Sequence, residues 1–492
     1  MVNSNLTDQA ELFSLNEEIL SQRPVKWCSV KLSEILSHGK RLEASAYDLE
    51  CQHSIHILQN SKYGFFKMLQ NDSIVKDVYH APRFKRNYIS KDVPDAVPFL
   101  GSSEMLDINP HAVKYIKEST AKSLNLFVKP ETVLMSCSGT IGNVSLVNRT
   151  LENFAFSQHI MRVECSRYSG YIYTCLKNPT VQSQVQSVVY GAVIPEIEPE
   201  HLNYIILPDA PNEIKEKIHN LIIRSYKLRD ESNRLIDRAT ELLVQELHFP
   251  EIGEFDVSLF KKNVPVDSFS VRLSDLCGRF DASYHVPIVN AITSHMRKYA
   301  DEVTTIADKR ISKDVILPGR FKRVYVEEGY GRIFIGGKQI HELDPSNKKY
   351  LSLARHGDRI SKQLELHENM TLITCSGTIG KVSLVGKHWE NWAASQHIIR
   401  IVPANKDIAG YLNVFLASEY GHCLITRFTY GAVVDEINDD HVRQISVPLL
   451  KNRDVQQQIN TLALEANEKR YQAYCLEQQA LHIMDQEVIY TK

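Results

Sequence analysis

The residues of this chain that could do chemistry occur in duplicate. The stretch CSGTIG stands at Cys137–Gly142 and again at Cys375–Gly380, and RFKR stands at Arg83–Arg86 and again at Arg320–Arg323. Extended outward, the two CSGTIG stretches become CSGTIGNVSLVNRTLENFAFSQHIMRV and CSGTIGKVSLVGKHWENWAASQHIIRI, with 18 of 27 positions identical. A coincidence of this length is improbable in 492 residues, so we interpret the chain as an internal repeat with one kind of site in each copy.

The RFKR stretches place three cations beside an aromatic residue in each copy. Such cations neutralise phosphates, and arginine can also donate two hydrogen bonds to guanine in the major groove. Base readout should differ between copies, so their identity favours contact with phosphates. The alternative is a solvated turn with one buried phenylalanine. The predicted DNA contacts are Arg83, Lys85, Arg86, Arg320, Lys322 and Arg323.

The CSGTIG stretches could present hydroxyls and backbone N–H groups to a phosphate. The alternative, at even weight, is a glycine turn that the fold requires. The residues predicted to contact DNA are Ser138, Thr140, Ser376 and Thr378. Lys381 follows the second stretch where Asn143 follows the first, which makes it a candidate contact for one half of a target.

Two further paired residues could contact bases. Gln158 and Gln396 each precede a histidine at the start of an apolar strand, and glutamine can read adenine with two hydrogen bonds. The neighbouring histidines are more typical of satisfied buried side chains than of catalysts. Tyr190 and Tyr430 stand beside glycines, where an aromatic ring suits a sugar or a splayed base, although the pattern slightly favours a plain packing turn.

Signatures of catalysis are missing from the sequence. There is no Asn/Asp-Pro-Pro-Tyr/Phe tetrad, so we do not expect methyl transfer from this chain. GRIFIGGK at Gly331–Lys338 approaches a phosphate-binding loop, but its glycine spacing is wrong and Gln339 replaces the required Ser or Thr. Nine scattered cysteines without a CxxC pair favour reduced thiols over disulfides or a zinc site. We therefore expect a binding protein without a cofactor or metal of its own.

Composition limits the setting. The formal net charge is −2, so a surface for nucleic acid must be a local patch. The first residues lack the apolar core of a signal peptide, and no run approaches the roughly 18 apolar residues that a membrane span needs. We expect a soluble, cytoplasmic protein that does not bind membranes.

A constant offset of about 240 residues extends the repeat through most of the chain. VKLSEIL at Val30–Leu36 matches VRLSDLC at Val271–Cys277, and YGAVIPEIEPEH at Tyr190–His201 matches YGAVVDEINDDH at Tyr430–His441. A period of this length indicates two whole domains rather than a solenoid. Short β-branched runs between glycine turns predict a strand-rich, mixed α/β domain in each copy.

Each copy is followed by a segment that lacks proline and glycine and has helical periodicity, at 212–247 and 453–488. Large apolar residues recur every seven positions, with smaller residues four positions later, and Lys469 interrupts the second column. Such a seam lets two helices approach closely, so we predict an antiparallel coiled-coil pair rather than helices packed only on their own domains. The predicted seam residues are Leu221, Leu228, Leu235, Leu242, Leu462, Leu476 and Ile483.

This order of blocks resembles the DNA specificity subunit of type I restriction-modification systems. RFDASY at Arg279–Tyr284 is similar to the motif that opens a target-recognition domain in that family. The resemblance implies a pseudo-two-fold layout of two tandem target-recognition domains, each followed by a spacer helix. The predicted boundaries are 1–24 for an N-terminal segment, 25–210 and 249–450 for the domains, and 211–248 and 451–492 for the helices.

The resemblance also implies the partners. Each domain would recognise one half of a split, asymmetric double-stranded DNA target, and the helices would set the spacing and dock two methyltransferase subunits. S-adenosylmethionine would be bound by those subunits. ATP and Mg would be bound by an optional restriction and translocase subunit. Related methylation-associated phage-defence systems use the same kind of subunit.

Two departures from the resemblance stand out: RLEASAY at Arg41–Tyr47 is one residue longer than its counterpart, and the first thirty residues have none. A structural adaptor whose duplicated domains bind proteins is the alternative function, and a fused nuclease or methylase ranks third. Binding that weakens steeply with salt separates the first function from the adaptor.

Overall fold

The computed structural model describes residues 29–37, 42, 44–71, 73–111, 114–191, 193–255, 268–276, 278–345 and 348–491. The segment predicted at 1–24 lies outside these residues. The chain divides into two compact mixed α/β units. The first unit comprises Met1–Met105, Ala112–Ile223 and Gln478–Lys492, and the second comprises Leu106–His111 and Arg224–Glu477.

The described part of the first unit contains short helices and short strands, and the strands form three small sheets. Its strands are β1 (Phe65–Lys67), β2 (Val75–His80), β3 (Ala96–Leu100), β4 (Lys114–Lys117), β5 (Val133–Ser136), β6 (Val144–Leu146), β7 (Ala155–Phe156), β8 (Ile160–Cys165) and β9 (Ile206–Pro208). Its shorter helices are α1 (Leu32–Ser37), α2 (Leu49–Gln59), α3 (Glu118–Ser123), α4 (Ser169–Lys177) and α5 (Pro179–Ser187). The sheet orders are β2-β8-β5-β6, β4-β3-β7 and β1-β9.

The second unit repeats this plan. After the helix α6 (Asn212–Glu246), most of which belongs to this unit, come α7 (Pro287–Tyr299), α8 (Leu353–Arg359), α9 (Lys406–Ala417), α10 (Glu419–Thr426), α11 (Asp439–Arg443) and α12 (Arg453–Ile483). Its strands are β10 (Glu302–Thr305), β11 (Ser312–Ile316), β12 (Tyr325–Val326), β13 (Gly331–Ile335), β14 (Lys349–Ser352), β15 (Thr371–Thr374), β16 (Val382–Leu384), β17 (Ala393–Ala394), β18 (Ile398–Pro403) and β19 (Ser446–Leu449). The orders β11-β18-β15-β16, β12-β14-β13-β17 and β10-β19 match those of the first unit, apart from the added β12.

The central strands explain the repeated sequence blocks. Every residue of β5 and of β15 is buried, as expected for a run that is covered on both faces. Each pairs antiparallel with the strand that follows the Gln-His dipeptide: Ser136 lies opposite Ile160, and Thr374 lies opposite Ile398. The start of each CSGTIG stretch is therefore fixed beside the start of the next repeated block.

The helices α4 and α9 pack closely against α6 and α12, respectively. A Cβ on Gly170 would lie 2.7 Å from the His219 carbonyl oxygen, and one on Gly410 would lie 2.5 Å from that of Asn460. Only glycine permits these approaches. The neighbouring Tyr171 hydroxyl donates to the Pro208 carbonyl at 2.7 Å. In each unit, a glycine at the equivalent position thus lets the domain body pack against a long helix.

The two long helices, α6 and α12, run for 35 and 31 residues. The absence of proline and glycine permits this length, and α6 ends before His248, which has a φ of 49°, and Pro250. Residues 484–489 continue α12 as a π-helical turn.

Within the second unit, contacts between α6 and α12 run in opposite directions along the two helices. The Ser225 hydroxyl donates to the Ala473 carbonyl at 2.8 Å, and Arg470 donates to the Ser232 hydroxyl at 3.3 Å. Lys469, the residue that interrupts the apolar column, binds Glu231 at 2.6 Å. These contacts give the helices one defined register.

The small residues lie at the centre of this seam. The fully buried positions include Ser225, Ser232, Ala239, Ala466, Ala473 and Ala480. Of the predicted large column, Ile483 is buried, whereas the six leucines are only partly buried and flank the centre. Close approach of the backbones is therefore provided by Ser and Ala.

Candidate nucleic-acid interface

In the first unit, Arg83 and Arg86 lie on an extended segment between β2 and β3. Arg83 donates to the Glu196 carboxylate at 2.8 Å, and its side chain is 70% exposed. Arg86 donates to the Ser157 hydroxyl at 3.2 Å, and its guanidinium lies 5.8 Å from the Phe99 ring centroid. The first arginine is therefore held at the surface, and the second is held against the domain body.

The second unit repeats both contacts. Arg320 donates to the Glu436 carboxylate at 2.7 Å and is 78% exposed. Arg323 donates to the Ser395 hydroxyl at 3.5 Å, and its guanidinium lies 5.3 Å from the Phe334 ring centroid. It also donates to the Gln396 side-chain oxygen at 2.9 Å. The structure therefore gives the two RFKR stretches the same geometry.

The remaining residues of the two tetrads divide between core and surface. Phe84 packs edge-on against Phe99, with 6.3 Å between ring centroids, and Phe321 packs on a separate apolar cluster. Lys85 and Lys322 are exposed. The phenylalanine expected in the core for a simple turn is thus only partly buried in each unit, and it lies beside exposed cations that a phosphate could reach.

The CSGTIG stretch of the first unit is bound to the loop between Tyr190 and Glu196. The backbones of these two residues exchange hydrogen bonds of 3.0 and 2.8 Å. The Gly139 N–H donates to the Pro195 carbonyl at 2.9 Å, and the Ser138 hydroxyl donates to the Glu196 carboxylate at 3.4 Å. Glu196 therefore joins this loop, the CSGTIG stretch and Arg83 in one cluster. We call the loop between the tyrosine and the glutamate the tip loop.

The tip loop of the second unit is held in the same way. Tyr430 and Glu436 exchange backbone hydrogen bonds of 3.0 and 2.7 Å, and the Gly377 N–H donates to the Asp435 carbonyl at 3.0 Å. Ser376 forms a β-bridge with Glu436. Thr140 and Thr378 are exposed beside these loops.

A buried arginine holds the Ser-Gln-His turn in the first unit. Arg162 is fully buried and donates to the carbonyls of Phe156, Ser157 and Ile160 at 2.9, 3.2 and 2.5 Å. Burial lowers the pKa of Arg162 to about 10, which still leaves it charged at neutral pH. The charge is compensated by carbonyl dipoles.

Arg400 does the same in the second unit. It is fully buried and donates to the carbonyls of Ile398 at 2.9 Å and Leu364 at 3.3 Å, and to that of Ala394. Burial lowers its pKa to about 9. The arginine of the repeated SQHIxR block is therefore a positioning residue for the turn that carries the predicted glutamine.

The two glutamines differ in their partners. Each amide nitrogen lies near the ring of the following histidine, at 3.4 Å for Gln158 and 3.2 Å for Gln396. The Gln396 oxygen accepts from Arg323, whereas the buried Gln158 oxygen has no hydrogen-bond partner among the described residues. Burial, together with Arg86, lowers the pKa of His159, which favours a neutral ring at neutral pH.

A polar chain joins three side chains in the first unit and has no counterpart among the described residues of the second. The Tyr190 hydroxyl donates to Glu198 at 2.8 Å, and His80 binds the other oxygen of Glu198 at 2.6 Å. Burial and the hydrogen bond to Glu198 raise the pKa of Tyr190 to about 12. Asn438 and Leu317 stand at the corresponding positions of the second copy, so the otherwise matched clusters differ here.

Lys381 does not join the arginine cluster through any observed contact. Its ammonium faces Asp107 at 3.9 Å, within the second unit. Its role as a DNA contact remains a prediction.

Two pairs of residues in the cluster were not singled out from the sequence. Glu196 and Glu436 each stand six positions after the repeated tyrosine, and Arg162 and Arg400 end the repeated SQHI stretch. Identical spacing in both copies was the signal that could have identified them.

The described residues contain no cluster of histidine, cysteine and carboxylate groups that could hold a metal ion. Burial raises the pKa of the Cys137 and Cys375 thiols to about 12, so neither is a nucleophile at neutral pH. No helix in the described part of the chain is sufficiently long and apolar to span a bilayer.

No family model and no curated protein sequence matches the chain. Among solved structures, it is similar to the type I restriction-modification S subunit from M. genitalium, with 13% identity, coverage of 87% of this chain and 95% of that one, and a TM-score of 0.34. The HsdS subunit from Thermoanaerobacter tengcongensis is 12% identical to this chain. The match covers 79% of this chain and 89% of that one, with a TM-score of 0.26. A chain from a study of type I R-M complex assembly and conformational transition is also 12% identical. That match covers 79% of this chain and 90% of the other, with a TM-score of 0.25. These values lie below the level at which likeness indicates function.

Proposed function

We propose that this chain is a DNA specificity subunit, in which each unit contacts one half of a split, asymmetric DNA target. The observation that carries the proposal is the duplicated cluster in which Arg83 meets Glu196 and Arg320 meets Glu436. An exposed ion pair of this kind contributes only about 0–1 kcal/mol. Each arginine can therefore exchange its carboxylate partner for a phosphate at little cost.

The difference between the two clusters supports the proposal that the two units recognise different DNA sequences. Shared groups, such as Arg83 and Arg320, suit the common phosphate backbone, whereas bases must be read by groups that differ. The chain Tyr190–Glu198–His80 is such a difference. Each unit thus combines a common scaffold with its own polar groups.

We further propose that α6 and α12 form an antiparallel coiled-coil spacer on which two methyltransferase subunits dock. The support is the register set by Ser225 with Ala473 and by Glu231 with Lys469. In this proposal methyl transfer, with its S-adenosylmethionine, belongs to the partner subunits. A restriction subunit that uses ATP and Mg would be an additional partner, in a type I system or in a related phage-defence system.

The test begins with methylation mapping in cells that express the chain with its methyltransferase partners. The complex is then footprinted on the mapped motif with wild-type chain and with two triple variants, Arg83→Gln/Lys85→Gln/Arg86→Gln and Arg320→Gln/Lys322→Gln/Arg323→Gln. Each triple variant should weaken protection of a different half-site and make binding less dependent on salt, because cations that contact the phosphates of that half-site are removed. Replacement of the exposed Arg297 and Lys298 of α7 by Gln is the control.

A palindromic and contiguous motif, or two triple variants with the same footprint defect, would falsify the two-reader proposal. A salt titration separates DNA binding from the adaptor alternative. Affinity for DNA should fall by orders of magnitude between about 50 and 200 mM salt if several phosphates are contacted, whereas an apolar protein interface should change little.

A further inference from the structure

Both tip loops present bulky aliphatic side chains to solvent. Val193 is 92% exposed and Val433 is 97% exposed, and each is followed by a second aliphatic residue, Ile194 at 57% and Val434 at 51%. Single exposed apolar side chains are ordinary, but this pair recurs at the same place in both units. Packing within each unit does not account for it.

A glycine and backbone hydrogen bonds define the base of each tip loop. Gly191 and Gly431 have φ values of 98° and 117°, and a Cβ on either would lie 2.3 or 2.2 Å from a carbonyl oxygen of the same loop. The backbone bonds between tyrosine and glutamate close each loop at its base. These bonds restrict the loop backbone at its base before DNA binds, which reduces the conformational entropy that binding must cost.

Charge beside the tips identifies the surface that they meet. Glu196, at the base of the first tip, holds the exposed Arg83, and Glu436 holds the exposed Arg320. An apolar tip flanked by an arginine matches the edge of a DNA groove, where phosphates border the stacked bases. A purely apolar protein partner would not require the arginine in both copies.

We propose, building on the function proposed above, that the tip loops are apolar wedges that enter a DNA groove and partly unstack one base step in each half-site. Because the tips are alike in both units, they do not distinguish the two half-sequences. Apolar side chains that enter between base steps act in this sequence-independent way. A methyltransferase must take its target base out of the stack, and prior unstacking lowers the energy that this step requires.

The experiment uses the full complex with its methyltransferase subunits and a duplex of the mapped motif that carries 2-aminopurine in one half-site. Binding of wild-type complex should raise the 2-aminopurine fluorescence. Val193→Ser/Ile194→Ser should abolish that rise in one half-site only and lower affinity by about tenfold, because the apolar surface is no longer buried. Val433→Ser/Val434→Ser should do the same in the other half-site.

Matched controls come from the chain itself. Leu32→Ser and Leu273→Ser change exposed leucines outside the tip loops, one in each repeat, so both should keep the wild-type fluorescence and affinity. The methylated motif should be unchanged in every variant, because the tips do not select bases.

Three outcomes would overturn the wedge. The first is unchanged fluorescence in both serine variants, provided that the wild-type complex protects the motif. The second is a change in the methylated motif of a serine variant. The third is loss of methyltransferase co-purification, which would make the tips a subunit contact. If the wild-type complex protects no DNA, the proposed function fails and the wedge fails with it. The first three outcomes leave the proposed function standing.

Discussion

Arg229 of α6 and Glu477 of α12 form an ion pair that is buried between the two helices. Glu477 is fully buried and Arg229 is 8% exposed, and the Arg229 guanidinium also lies 4.0 Å from the centroid of the Tyr226 ring. Removal of one partner from a buried pair of this kind strongly destabilises the folded protein, although apolar residues of similar volume can replace both partners. It therefore acts as a register device more than as a source of stability.

Glu477→Ala should lower the free energy of unfolding by about 3–5 kcal/mol, because the buried Arg229 charge would lose the Glu477 carboxylate. The double change Arg229→Met/Glu477→Leu should recover most of this loss. Urea denaturation monitored by circular dichroism gives both values. Equal losses in the single and double variants would show that the pair contributes direct stability rather than register.

Arg400→Met should lower the free energy of unfolding by about 3 kcal/mol or more. The substitution removes a donor from the carbonyls of Ala394 and Ile398, which flank the Ser-Gln-His turn, at about 1–3 kcal/mol for each. Arg355→Met, at an exposed arginine of α8, is the control and should change stability by less than about 0.5 kcal/mol. If both variants melt at the same temperature, Arg400 does not hold the turn.

Stability should fall as pH falls below about 6.5. Burial, with lesser effects of Lys381, His111 and Arg470, lowers the pKa of His341 to about 3. The unfolded chain takes up this proton near pH 6.5, whereas the folded chain stays neutral until about pH 3, so acid favours the unfolded chain. The loss should reach about 2 kcal/mol at pH 5 for this group.

His341→Gln should remove this part of the pH dependence between pH 6.5 and 5. His482→Gln, at an exposed position of α12, should leave it intact. The measurement is the free energy of unfolding of each variant at both pH values. Parallel pH profiles for wild type and His341→Gln would contradict the assignment.

Glu196→Gln should strengthen DNA binding that is independent of sequence, by up to about fivefold. The change removes a negative charge near the DNA and releases Arg83 from an ion pair worth about 0–1 kcal/mol, while an amide can still accept from Ser138. Fluorescence anisotropy with a duplex that lacks the mapped motif gives the affinity. Glu200→Gln, at an exposed neighbouring carboxylate, is the control, and an equal gain there would indicate a general charge effect.

Sequence alone predicted the parts of this fold that depend on local pattern. The first long helix, expected at 212–247, is observed at 212–246, and the second, expected at 453–488, runs from 453 to 483 and continues as a π-helical turn to 489. The centre of the seam was harder to place. Leucine periodicity marks an apolar face, but it does not show whether the column of Leu228 or that of Ser225 lies nearest the partner helix.

The site was predictable to the level of repeated blocks. RFKR, CSGTIG and the tip tyrosine were identified, because duplication draws attention to them. The linking function of Glu196 was not, since its contacts to Arg83 and Ser138 join residues 113 and 58 positions apart. Contacts over such separations depend on strand order, which sequence periodicity does not reveal.

The division of the chain into units has a consequence for synthesis. Residues of the segment after Gln478 belong to the first unit: Asp485 accepts from Asn178 at 2.7 Å, and Met484 and Val488 are buried. A ribosome synthesises this segment only after the whole second unit. Until then, the apolar surface of the first unit that this segment covers stays exposed. Such delayed, long-range closure slows folding and exposes the chain to aggregation. Slower translation of the second half would then lengthen the time for which this surface is exposed and lower the yield of folded protein.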